Sequence, residues 1–205
     1  MMATTSSEPS ISDTAPYPLM QLKIMYWGPG EAGKTTNFEW LKQTFKPFLI
    51  SKGFSIETTN HRTLWNDSVT FRFDIHNLRL STIIHVATTT GQERFLSTRE
   101  YVLQNADGVI FVADSDEMKQ HENRRSFEEV VAFTRESGIP ILIQLNKRDH
   151  PEAISEADFR LDLDLPDMDP EGMHLVYLAQ ASKGQGVQEI FMDLFEQILR
   201  KKLLK

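Results

Sequence analysis

Gly28-Pro29-Gly30-Glu31-Ala32-Gly33-Lys34-Thr35 matches the pattern G-x-x-x-x-G-K-[ST], and its reading decides the fold. Before it, Leu22-Lys23-Ile24-Met25-Tyr26-Trp27 is an apolar run of strand length. After it, Phe38, Leu41 and Phe45 recur at helical spacing. Strand, glycine loop and helix in succession are the context in which this pattern wraps a polyphosphate. Such a loop turns its backbone N–H groups inward, so glycines at 28 and 33 supply the dihedrals and the close approach. Gly30, Ala32 and Thr36 belong to the same phosphate-binding stretch. The helix that follows begins at the phosphates, where its dipole and unpaired N–H groups favour an anion. Lys34 is placed to reach the β- and γ-phosphates, and the Thr35 hydroxyl to ligate Mg²⁺. A carboxylate turned inward would repel the ligand, so Glu31, which binds through its backbone, is expected to point its side chain away. A chance match would occur in roughly 1% of chains of this size. The flanking elements make chance rarer still.

The 205 residues suggest one domain with a substantial core. With 29 acidic against 22 basic residues, the net charge of −7 argues against nucleic acid as the main partner. Zero cysteines exclude disulfides, thiolate zinc sites, cysteine nucleophiles and cysteine lipidation. No apolar run approaches the roughly 18 residues of a transmembrane segment, and no secretory h-region precedes the first strand. A cytoplasmic protein is the expectation. Residues 1–19, rich in Ser, Thr and Pro, read as a disordered tail, and 20–205 as the folded domain.

The coarse order after the tail is strand 22–27, helix 34–50, strand near 54–60, strand 69–75, strand 80–86, helix 93–104 and strand 108–114. Helix 122–137, strand 140–145, helix 154–161, strand 173–178 and helix 186–203 follow. This alternation predicts an α/β fold of three layers, a P-loop NTPase with a mostly parallel central sheet and one antiparallel hairpin near 69–86. Ligands of such sheets sit beyond the carboxyl ends of the strands, where the glycine loop also falls.

Asn146-Lys147-Arg148-Asp149 follows the apolar strand Ile141-Leu142-Ile143-Gln144-Leu145. A carboxylate beyond a strand end accepts two hydrogen bonds from guanine N1–H and its exocyclic amino group. Adenine offers no such donor pair, so Asp149 selects GTP over ATP. Asn146 is placed to tie the loop and base together, and the Lys147 stem to lie along the base plane. N-K-x-D alone is weak evidence; at this distance behind a phosphate loop it is strong. Gly91-Gln92 opens a helix after strand 80–86: the glycine lets an N–H reach a γ-phosphate, and Gln92 is suited to orient an attacking water. Thr63 lies in a polar segment where a threonine can close on Mg²⁺ and the γ-phosphate. Ala181 and Ser182 either supply backbone N–H contacts to the guanine oxygen or form an ordinary strand-to-helix connection. The six histidines show no metal-ligand spacing. Val187, Ile190, Phe191, Leu194, Phe195 and Ile198 form a helical stripe read as a core face.

The set Gly28 to Asn37, Arg62-Thr63-Leu64, Thr88-Thr89-Thr90-Gly91-Gln92, Asp107 to Ser115 and Asn146 to Asp149 resembles a small Ras-like GTPase. More narrowly, it resembles the prokaryotic MglA family of gliding-motility and cell-polarity GTPases. The resemblance covers about residues 20–203. It implies a Ras-like G domain that binds GTP and GDP with Mg²⁺ and hydrolyses GTP slowly. It also implies a Roadblock-fold GTPase-activating partner, polarity or motility effectors, and recruitment to a cell pole. Arg62 stands where that family carries a cis arginine finger, a group that contributes roughly 10³–10⁵ in rate. Thr88 stands where Ras-like proteins carry a magnesium-linked aspartate. Its neutral hydroxyl leaves more of the metal binding to Thr35, Thr63 and the phosphates. Segments near 53–67 and 88–100 are expected to order with GTP. Two rivals remain at this level: an interaction module that binds GTP with little hydrolysis, and an ATP-dependent P-loop kinase or ATPase, which Asn146 to Asp149 opposes.

Overall fold

Near-continuous burial along the central strands builds a sheet that is covered on both faces. In the computed structural model, which describes residues 16–52, 68–88, 103–165 and 176–204, the elements begin with β1 (Leu19–Trp27), α1 (Lys34–Thr44) and β2 (Leu49–Lys52). They continue with β3 (Ser68–Ile75), β4 (Leu80–Thr88), β5 (Gly108–Asp114), α2 (Gln120–Thr134) and β6 (Ile141–Asn146). The last are α3 (Glu156–Asp162), β7 (Val176–Leu178) and α4 (Val187–Leu203). The sheet order is β2-β3-β4-β1-β5-β6-β7.

Parallel strands buried on both faces need apolar side chains in both directions, and β5 is buried at every residue. One set of side chains (Ile24, Tyr26, Val86, Ile110, Val112, Leu142) packs under α1 and α4. The other (Met25, Trp27, Val109, Phe111, Ile143, Leu145) packs against α2 and α3 through Val130 and Phe159. The three-layer α/β prediction is borne out. So is the hairpin: β3 and β4 pair antiparallel from Ser68↔Ala87 to Ile75↔Leu80, with Arg79 at φ 49° in the turn. β3 also runs antiparallel to β2. The predicted stripe on α4 is buried from Val187 to Leu199, each such side chain contributing about 1.5–3 kcal/mol. Phe191 and Phe195 extend it into an aromatic cluster with Phe45, Phe71 and Phe73.

The first helix is shorter than the expected 34–50. It ends at Thr44, followed by a 3₁₀ turn at Lys46–Phe48 and then β2. Pro47 accounts for this. It has no N–H to give a helix, and its ring disfavours the α conformation at Lys46. The apolar spacing that suggested continuation has another cause: Phe45 turns inward onto Phe71 and Phe191 at ring separations of 5.8 and 5.4 Å. The expected strand near 54–60 and residues 93–102 of the expected helix lie outside the described residues. No helix among the described residues is long and apolar enough to cross a membrane.

Because β4, β1, β5 and β6 are parallel, their carboxyl ends emerge side by side. These ends deliver Thr88, Gly28, Asp114 and Asn146 to one edge of the sheet. Chain order reverses across this edge, the place where open α/β sheets bind ligands.

Candidate functional site

The loop leaving β1 is shaped by close contacts that exclude side chains. At Gly28 (φ 145°) a Cβ would stand 2.1 Å from the Val112 carbonyl oxygen. At Gly33 (φ 102°) it would stand 2.3 Å from the Asn146 side-chain nitrogen. Gly33 also caps α1 without any side-chain hydrogen bond, leaving the first turn to face the loop. The Lys34 ammonium curls back into the loop and donates to the carbonyl oxygens of Gly28 (2.9 Å) and Pro29 (2.6 Å). Only 7% of Lys34 is exposed, so its charge is held inside the cradle.

Asn146, nearly fully buried, joins two loops. Its Nδ2 donates to the Ala32 carbonyl at 2.8 Å, and its Oδ1 accepts from the Ala181 N–H at 2.9 Å. It therefore ties the phosphate loop to the 3₁₀ turn Ala181–Lys183. The Ala181 N–H, one of the two amides considered for the guanine oxygen, donates to Asn146 Oδ1 in this structure. Lys147 adopts φ 63° and sends its ammonium 2.6 Å from Asp114 Oδ2. Arg148 pins the same loop, donating to the Ile154 carbonyl at 2.5 Å and to Ser115 Oγ at 3.3 Å. Gly184 (φ 74°) turns the next loop against Trp40, with no room for a Cβ.

These loops enclose a cavity of about 360 Å³. Its wall draws on three segments: Glu31, Gly33 and Thr36; Asn146, Lys147 and Asp149; and Ala181 and Ser182. Glu31 belongs to this wall and is exposed to solvent. Gly30 is half-buried, Ala32 is buried and Thr35 is exposed at the start of α1. Arg62, Thr63, Gly91 and Gln92 lie outside the described residues. Three residues were missed in the sequence. Asp114 fixes Lys147; its signal is a carboxylate ending an apolar strand. His150 and Pro151 enter the wall directly after Asp149.

A magnesium ion must draw on oxygen donors here. Among the described residues no cluster of three or more His, Cys, Asp or Glu could hold a metal. The Thr88 hydroxyl is buried at the end of β4 and makes no hydrogen bond among the described residues. It stands beside Tyr26 of β1, whose phenol burial pushes well above its usual range. An orphaned hydroxyl beside the strand that feeds the cradle fits a hard cation that takes most of its ligands from phosphate and water.

Residues 13–198 match the ADP-ribosylation factor family. The chain is 34% identical over 183 residues to the Mutual gliding-motility protein MglA of Myxococcus xanthus, covering 86% of this chain and 90% of that one. It is 28% identical over 202 residues to ADP-ribosylation factor-like protein 4D of Mus musculus, with 97% and 92% covered. With ADP-ribosylation factor-like protein 4C of Homo sapiens it shares 29% identity over 192 residues, covering 90% and 91%. The chain belongs to the ADP-ribosylation factor family, as an MglA-like small GTPase of the Ras type that binds guanine nucleotide and works as a GTP-dependent switch.

Proposed function

We propose that this switch hydrolyses GTP to GDP and phosphate and governs cell polarity or motility through partners that bind its GTP form. The observation that carries the reading is Asn146, which clamps the phosphate loop and the 181–183 turn around a cavity walled by Lys147 and Asp149. Asp149 reads guanine, Ser182 supplies an amide to its oxygen, and the Lys147 stem covers the base. Lys34 exchanges the Gly28 and Pro29 carbonyls for the β- and γ-phosphates, a stronger pairing for an ammonium. Thr35 and Thr63 hold Mg²⁺, which when bound offsets phosphate charge. Gln92 orients the attacking water, Gly91 offers its N–H to the γ-phosphate, and Arg62 adds charge stabilisation in cis.

Likeness to the Myxococcus gliding-motility protein supports the motility reading. A Roadblock-type activating partner and recruitment to a cell pole extend that proposal on the resemblance of the motifs alone. Thr88 favours a second reading, binding with little hydrolysis, because no carboxylate stands at that position. Single-turnover phosphate release, with and without a Roadblock partner, separates the two. The expected result is slow release alone and at least tenfold faster release with the partner. Release that stays at the rate of GTP in buffer under both conditions would support the second reading.

A further inference from the structure

The phosphate loop carries a charge of unexpected sign. From Gly28 to Thr35, Glu31 is the only carboxylate and Lys34 the only cation. Glu31 is held at φ 64°, a left-handed conformation that costs a glutamate conformational energy, and it forms part of the cavity wall. The neighbouring cations are already engaged. Lys34 donates to two loop carbonyls, Lys147 pairs with Asp114, and Lys119 is hydrogen-bonded to Glu122. That bond to Glu122 is the main reason the Lys119 ammonium is held above its usual range, with Glu31 adding a smaller effect. The same eight-residue loop that would seat a phosphate chain carries the Glu31 carboxylate. Loop amides and Lys34 attract the phosphates, and Glu31 opposes them.

We propose that Glu31 is a built-in release element, whose carboxylate repels the phosphates of bound GDP or GTP and shortens the residence of the nucleotide. The proposal rests on the assignment of the cavity to guanine nucleotide. The base contacts at Asp149 and Ser182 are independent of this charge, so Glu31 tunes how long a nucleotide stays without altering which base is chosen.

The test is the dissociation rate of a fluorescent GDP analogue, chased with excess GDP, from the full-length protein and its Glu31→Gln and Glu31→Gly variants. Glutamine removes the charge and keeps the backbone constraint; glycine removes both. Release from Glu31→Gln is expected to be about tenfold slower at low salt. The ratio to wild type should narrow near 500 mM salt, where the Debye length contracts to about 4 Å. Glu31→Gly should match Glu31→Gln. Wild-type or faster release from Glu31→Gln would overturn the proposal, as would slowing confined to Glu31→Gly, which would assign the effect to backbone strain. If none of the three proteins binds the analogue, the nucleotide assignment itself fails, and the proposal with it.

Discussion

Asp149→Asn is expected to lower affinity for GDP about a hundredfold or more while raising that for xanthosine diphosphate. Asp149 lines the cavity together with Lys147 and Ser182. Both groups that guanine presents there, N1–H and the 2-amino group, are donors, so a carboxylate satisfies both. Hydrogen bonds to charged groups contribute about 1.5–3 kcal/mol each, and losing two costs roughly 3–6 kcal/mol. Asparagine keeps one acceptor but turns an amide N–H₂ toward the 2-amino group, donor against donor. Xanthine carries a carbonyl at that carbon, which the amide can pair with. Competition binding with GDP and xanthosine diphosphate measures both directions. An unchanged preference would remove Asp149 from base recognition.

Lys34→Ala is expected to weaken GDP and GTP binding by about three orders of magnitude. Its ammonium now rests on the Gly28 and Pro29 carbonyls, almost shielded from water, and a phosphate chain offers it stronger acceptors. Two charge-assisted contacts at about 2 kcal/mol each total about 4 kcal/mol, close to a thousandfold. Lys34→Met keeps the apolar stem and should lose nearly as much, since the charge is what matters. Equilibrium binding with a fluorescent nucleotide reads the loss, and unfolding midpoints without nucleotide show whether the loop survives. Wild-type affinity in Lys34→Met would mean that the ammonium stays with the carbonyls when the ligand arrives.

The phosphate loop and the N-K-R-D tetrad were legible because their residue types answer to local constraints. Gly28 and Gly33 have no room for a Cβ, and Asn146 follows an apolar strand of unmistakable length. What escaped depends on contacts between distant segments. Asp114 ends an apolar strand, and its role emerges only when Lys147, 33 positions away, is brought to 2.6 Å. Nothing in the order of Ala181 and Ser182 tells that the Ala181 N–H is taken by Asn146, 35 residues away. The end of α1 was misread for a local reason: the apolar spacing through Phe45 outweighed Pro47, although the proline held the answer. His150 and Pro151 enter the wall only because the loop after Asp149 folds back there.

We propose the cavity clamped by Asn146, with Asp149 in its wall, as the site for guanine nucleotide. Calorimetric titration of the wild-type protein with GDP and with ADP, in the presence of Mg²⁺, tests this most directly. GDP should bind at least a hundredfold more tightly than ADP, with one nucleotide per chain. Equal affinities, or tighter binding of ADP, would contradict it.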